Sequence, residues 1–183
     1  MANSGVVYFA GVVVLIAVIL VAGCSQPAPA PLPPSTIQPG QEIELIGEVT
    51  GTGIVSQGIP HGTIDAITFT IGLTPDTMSV NLENLTIIYA DAVRTETLVP
   101  VEGYRGTPPR GSWGILSVTN EVGKPNNRLE FEEQATIQID PKAAIVPNQV
   151  ITIYVKTPAG PPLTIRRVVP STIMPGINDL PQL

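Results

Sequence analysis

The chain has 183 residues, enough for one ordinary domain and a short appendage, and 43% of them are hydrophobic, so a real core can be buried. Only 13% are charged, and the net charge of −6 with nine Lys and Arg excludes nucleic acid as a partner and any basic stripe for an anionic membrane surface. The single cysteine excludes an internal disulfide framework, while 20 prolines and 17 glycines point to many short strands joined by turns.

No charged residue precedes Glu42. Within that stretch Val6–Cys24 reads VVYFAGVVVLIAVILVAGC, uncharged and nearly all apolar. As a helix it would reach roughly 28 Å, close to the thickness of a bilayer's hydrocarbon core. It has no polar face, so residues 1–24 are expected to form an apolar helix buried all round, in lipid or among other apolar helices. A secretory signal peptide needs a positive n-region, and a single-span anchor usually carries Lys or Arg on its cytoplasmic flank. Neither feature is found before Val6, which favours a third reading: a helix cut from a basic leader that then polymerises with copies of itself.

Leu20-Val21-Ala22-Gly23-Cys24 also resembles a lipobox, which makes Cys24 the lipidation candidate of an alternative reading. Residues 25–40, SQPAPAPLPPSTIQPG, would then be a stiff polyproline tether; in either reading they form a Pro-rich linker. The bland role for Cys24 is a small apolar residue at a helix end.

From Gln41 to Leu183 the hydrophobic period is two. Ile67, Phe69, Ile71 and Leu73 alternate with polar or small residues, as do Ala135, Ile137 and Ile139, and Ile151, Ile153 and Val155. Further strands are expected at Glu42–Thr50, Leu85–Asp91, Glu96–Val101, Ser112–Val118 and Leu163–Val169, separated by Pro- and Gly-bearing turns. Residues 41–183 are therefore expected to form an immunoglobulin-like antiparallel β-sandwich, without the Cys…Trp…Cys pattern of a true immunoglobulin domain and with Trp113 as a core residue.

Motifs for chemistry are scarce. His61 is the only histidine, so a two-His metal site or a His pair is excluded within one chain. It lies in a Gly-Ile-Pro-His-Gly turn, where a surface role is the default; Asp65, four residues on, is its one conceivable acid–base partner. Glu130, Glu132 and Glu133 read as a solvated turn, and Asp76 and Asp91 lack the spacing of a cation-binding loop. The sequence has no nucleotide, cofactor or nucleophile motif, so neither a cofactor nor enzyme activity is expected. Asn84-Leu85-Thr86 is the one N-glycosylation sequon.

Three stretches together resemble an archaeal flagellin (archaellin), the subunit of the archaellum. Glu42–Gly53, EIELIGEVTGTG, is similar to the strand that opens the family's outer domain. Gly62–Ala92 is similar to its "I-D-x-I" strand followed by "LTPG/D…VDL…T-I-I-Y-x-D". Gln149–Pro170, QVITIYVKTPAGPPLTIRRVVP, looks like the closing hairpin, with Lys156, Pro158, Gly160, Leu163, Ile165, Arg167 and Pro170 on the matching positions. The resemblance implies a leader removed by a prepilin-type peptidase, helices bundled as the core of an extracellular swimming filament, and β-domains forming its sheath. It implies as partners many copies of this chain, archaellum motor and anchor proteins, and the membrane before assembly. In that filament Val6, Tyr8, Phe9, Val12, Val13, Leu15, Ile16, Ile19 and Leu20 would pack the core. The Pro-rich tract that ends the helix early, and Cys24, differ from the family pattern; both suit a lipid- or helix-anchored surface protein with an archaellin-like binding domain.

Overall fold

A computed structural model of the chain describes residues 37–56, 61–101, 107–121 and 123–183. The expected helix (1–24), with its packing residues and Cys24, and most of the Pro-rich linker lie outside the described residues. What is described is all β apart from one short 3-10 turn at Leu82–Asn84.

Twelve strands follow in order: β1 (Ile43–Ile54), β2 (Thr63–Leu73), β3 (Val80–Asn81), β4 (Thr86–Ala90), β5 (Thr95–Thr97), β6 (Val99–Pro100), β7 (Ser112–Thr119), β8 (Arg128–Leu129), β9 (Gln134–Asp140), β10 (Val150–Lys156), β11 (Leu163–Val168) and β12 (Gly176–Asp179). A large sheet runs β12-β1-β2-β9-β7-β6, a smaller one runs β11-β10-β4-β5, and β3 pairs with β8. Side chains alternate between faces, so the buried positions of each strand line one side of its sheet. Ile67, Phe69, Ile71, Ile137 and Ile139 from the large sheet share one core with Ile87, Tyr89, Ile151, Ile153 and Val155 from the small one. These are largely β-branched side chains, which pack well on a pleated surface, and each fully buried one is worth roughly 1.5–3 kcal/mol. Trp113 is in that core, as expected.

The expected strand at Glu96–Val101 is two strands. β5 pairs with β4 in the small sheet, whereas β6 pairs with β7 in the large sheet, and it does so in parallel. Leu98, 2% exposed, is the crossing point. Its N–H donates to the Ile87 carbonyl, and the Val99 N–H, one residue later, donates to Gly111 in the other sheet. A continuous run of strand-forming residues thus crosses between sheets, with its middle residue buried where it crosses. The sandwich is consequently mixed and not purely antiparallel. Strands β3, β8 and β12 had no periodic signal, being two to four residues long.

Irregular pairing positions particular residues. Two extra residues in β1, Gly47 (φ 70°) and Glu48, interrupt its register with β2 between Ile46 and Thr50 without changing which face points inward. A further irregularity, with Thr52 opposite Ala66 and Gly53 opposite Ile64, leaves Asp65 as the extra residue on β2.

The C-terminal strand is held by Asn178. Its Nδ2 donates to the carbonyls of Met174 (2.8 Å) and Gly176 (3.0 Å), and its Oδ1 accepts from the Met174 N–H (2.8 Å). This clamped loop lies directly over Gly53, where a Cβ would collide with the Met174 carbonyl and approach Asn178 Nδ2 to 2.5 Å. Gly53→Ala should therefore cost at least ~2 kcal/mol, seen in thermal unfolding as a Tm about 8 °C lower. An unchanged Tm would show that the loop is not fixed at Gly53.

Candidate functional site

Asp65 Oδ1 accepts from Arg110 Nη2 at 2.6 Å, so its partner is an arginine. His61 is exposed, and no hydrogen bond joins it to Asp65; the conceivable His–Asp pairing is not formed. Asp140, 8% exposed at the end of β9, faces the same cluster, and its Oδ1 has no hydrogen-bond partner among the described residues. Burial raises the Asp140 pKa above the usual carboxylate range; the Arg110 cation lowers it in part and the Asp65 charge adds to the rise. Two carboxylates share one cation here, and among the described residues no group of three His, Cys, Asp or Glu side chains is placed to hold a metal.

Asp91 likewise serves structure. Its Oδ1 accepts from the N–H groups of Val93 (2.9 Å) and Arg94 (3.0 Å), closing the β4–β5 turn. Its Oδ2 accepts from the Tyr89 hydroxyl at 3.1 Å and lies 2.8 Å from Arg94 Nε. Arg94 also stacks over the Tyr89 ring, 5.2 Å from its centroid, and donates to the Ala143 carbonyl. Burial opposes the Asp91 charge, but the Val93 N–H, the Tyr89 hydroxyl, the Arg94 N–H and the Arg94 cation outweigh it and hold the carboxyl below its usual range. Burial drives the Tyr89 hydroxyl upward, so it stays a protonated donor. Asp76 is exposed in the turn after β2.

Glu130–Glu133 is a tight turn, with the Glu133 N–H donating to the Glu130 carbonyl (3.1 Å) and the Glu130 N–H donating to Glu133 Oε2 (2.8 Å). Glu133 is 3% exposed, a correction to its reading as solvated, because it braces the turn from within. Glu132 has a left-handed backbone (φ 65°), and Phe131 stands 74% exposed at the tip. No sequence signal marked Phe131; an aromatic between two glutamates is equally compatible with a buried strand position.

Asn84 ends the 3-10 turn and is exposed, as is Thr86. The Asn81 side chain caps this turn by accepting from the Glu83 N–H at 3.0 Å. The sequon's two functional side chains thus both face solvent. The family-like hairpin Gln149–Pro170 is β10–β11, with Leu163, Ile165 and Arg167 all buried. Gly160 (φ 80°) in its loop packs against the Gly40 carbonyl, which a Cβ would strike. Arg167 is 8% exposed, and burial lowers its pKa.

The described surface is thus one of sheet faces, edges and turns, and it builds no catalytic constellation. Solved structures share this fold. The crystal structure of archaeal flagellin FlaB1 from Methanocaldococcus jannaschii matches with a TM-score of 0.59 at 14% identity, over 76% of this chain and 96% of that one. The archaeal flagellum of Methanospirillum hungatei strain JF1 matches with a TM-score of 0.52 at 16% identity, over 74% of this chain and 70% of that one. The archaellum periplasmic stator protein FlaG from Sulfolobus acidocaldarius overlaps more weakly, with a TM-score of 0.40. No family model and no curated protein matches the sequence. The domain has the archaellum-type β-fold. At these identities the likeness is one of fold.

Removing the Tyr89 hydroxyl tests the turn network. Tyr89→Phe should cost about 1.5–3 kcal/mol at pH 7, the usual worth of a hydrogen bond to a charged acceptor. Because the folded Asp91 pKa is depressed, its contribution is complete above the unfolded carboxylate range and is lost as pH falls through the folded value. The deficit measured by denaturant unfolding should shrink as pH is lowered below about 4; a deficit independent of pH would place the loss in ring packing instead.

Proposed function

We propose that the chain is the structural subunit of an archaellum filament, its apolar N-terminal helices bundled in the core and its immunoglobulin-like β-domains forming the sheath outside the cell. The observation that carries this reading is the flagellin fold match, which spans 96% of the FlaB1 chain, in a protein whose sequence also places an uncharged apolar segment before the β-domain. Assembly follows from that segment's chemistry. Side chains such as Val6, Tyr8, Phe9, Val12, Val13, Leu15, Ile16, Ile19 and Leu20 have no polar face to leave in water, and burying each large one among copies is worth roughly 1.5–3 kcal/mol. Before assembly the segment would reside in the membrane, and archaellum motor and anchor proteins are the expected partners. A glycan on Asn84 suits this location, since both sequon side chains face solvent.

The second reading is a surface protein anchored by lipid or helix and carrying an archaellin-like binding domain. It is favoured by the Leu20–Cys24 lipobox-like sequence followed directly by the Pro-rich tract.

Val14→Asp separates the two. A carboxylate in an apolar bundle carries a desolvation cost of at least several kcal/mol, so this variant should form no filaments while its β-domain unfolds at the wild-type temperature. Electron microscopy of sheared surface material and a melting curve read both outcomes. Filaments intact in this variant would remove the segment from the assembly mechanism, and release of the Cys24→Ser variant from membranes would favour the lipid-anchored reading.

A further inference from the structure

The two outer faces of the sandwich carry opposite charge. On the small sheet, cross-strand pairing sets Tyr154 between Ile88 and Thr164, Thr152 between Ala90 and Arg166, and Lys156 beside Thr86. Small side chains in the middle of this face leave a shallow groove of about 540 Å³, bounded by Ala90, Val150, Thr152, Tyr154 and Arg166. Its charged rim is cationic: Asp91, the one acid beside it, has a fully buried side chain already bonded to Tyr89 and Arg94. On the large sheet, Glu44 lies opposite Gly72, and Gly72 opposite Gln134, which places Glu44 on the outer face next to the Glu130–Glu133 turn. There Phe131 projects into solvent with Glu132 beside it. Among the described residues the only ion pairs are Asp91–Arg94 and Asp65–Arg110, so Lys156, Arg166, Glu44 and Glu132 have no charged partner among those residues.

We propose that the Phe131 turn of one copy docks in the Tyr154–Arg166 groove of the next, with Glu132 and Glu44 meeting Arg166 and Lys156. An exposed aromatic at the tip of a braced turn is the type of anchor that dominates interfaces, since little of its freedom remains to be lost on binding. The left-handed backbone of Glu132 is uncommon for a side chain of this type and persists because Glu133 holds the turn from inside. The charges set register and exclude the reverse pairing, where like would meet like. Because the two surfaces lie on the outer faces of different sheets, the contact is head-to-tail. It therefore repeats along an assembly instead of closing a two-fold dimer. The inference rests on the filament reading for its geometry of many copies, and it assigns the contact that links neighbouring β-domains in the sheath.

The test introduces a photo-reactive residue, Phe131→p-benzoylphenylalanine, into the full chain, assembled from a mixture of ¹⁴N- and ¹⁵N-labelled protein. Irradiation should give mixed-isotope cross-links to residues 150–168 of another copy, mapped by peptide mass spectrometry. Adding Glu132→Lys should reduce their yield several-fold, and Arg166→Glu in the same chain should restore it. Cross-links at this pair support the contact whether or not electron microscopy shows filaments. Filaments whose cross-links fall elsewhere, or are missing, overturn the contact and leave the filament reading standing; the loss of both cross-links and filaments overturns both.

Discussion

The architecture depends on the burial of two apolar sheet faces against each other. Ile67, Phe69, Ile71, Ile137 and Ile139 cannot leave water unless Ile87, Tyr89, Ile151, Ile153 and Val155 cover them, and neither sheet has any other way to hide that face. Leu98 shows how strong the constraint is. The chain gives up a continuous strand so that this side chain can sit between the sheets, and it accepts a short parallel pairing at the edge in return. Gly53 and Gly160 show it from another side. At both points backbone passes so close to backbone that a methyl group has no room, because the strands and loops at the rim are drawn in over the same core.

Polar groups inside the domain are handled unevenly, and the unevenness separates structure from function. Around Asp91 two turn amides and the Tyr89 hydroxyl donate hydrogen bonds to one carboxylate, and the Arg94 cation lies 2.8 Å away as an ion pair. This network fixes the β4–β5 turn. Asp140 and Arg167 are different. Each is buried with incomplete compensation, and each is pushed by that burial toward its neutral form. Neither stands with other groups in a constellation that could bind or transform a substrate. They are costs of placing strand ends at the rim of the sandwich.

With the inner faces committed to the core, the domain has only its two outer faces, its edges and its turns with which to act. A chain with 13% charged residues carries little electrostatic protection against association, so where its few charges lie matters more than their number. The cationic groove on one face and the acidic, aromatic turn on the other give the domain a direction. In the filament we propose, that direction would let each copy recognise the next and not itself.

The amino-acid sequence by itself determined the all-β character of the domain and most of its longer strands. Alternation of apolar and polar side chains is a local, period-two signal that the pleat enforces wherever it occurs. It also carried a resemblance to archaellins in the β10–β11 hairpin, whose buried Leu163, Ile165 and Arg167 and close-packed Gly160 are the positions that resemblance used. What only the tertiary structure decided are relations between distant residues. That Glu96–Val101 divides between sheets, that Asp65 meets Arg110 and not His61, and that Glu133 turns inward while Phe131 turns out depend on which strands become neighbours. Strands β3, β8 and β12 exist only because a partner strand lies alongside, since two to four residues are too few to show a period of their own. Local pattern specifies which face of a strand is apolar; the packing of one sheet on another specifies what that face, and the one behind it, will meet.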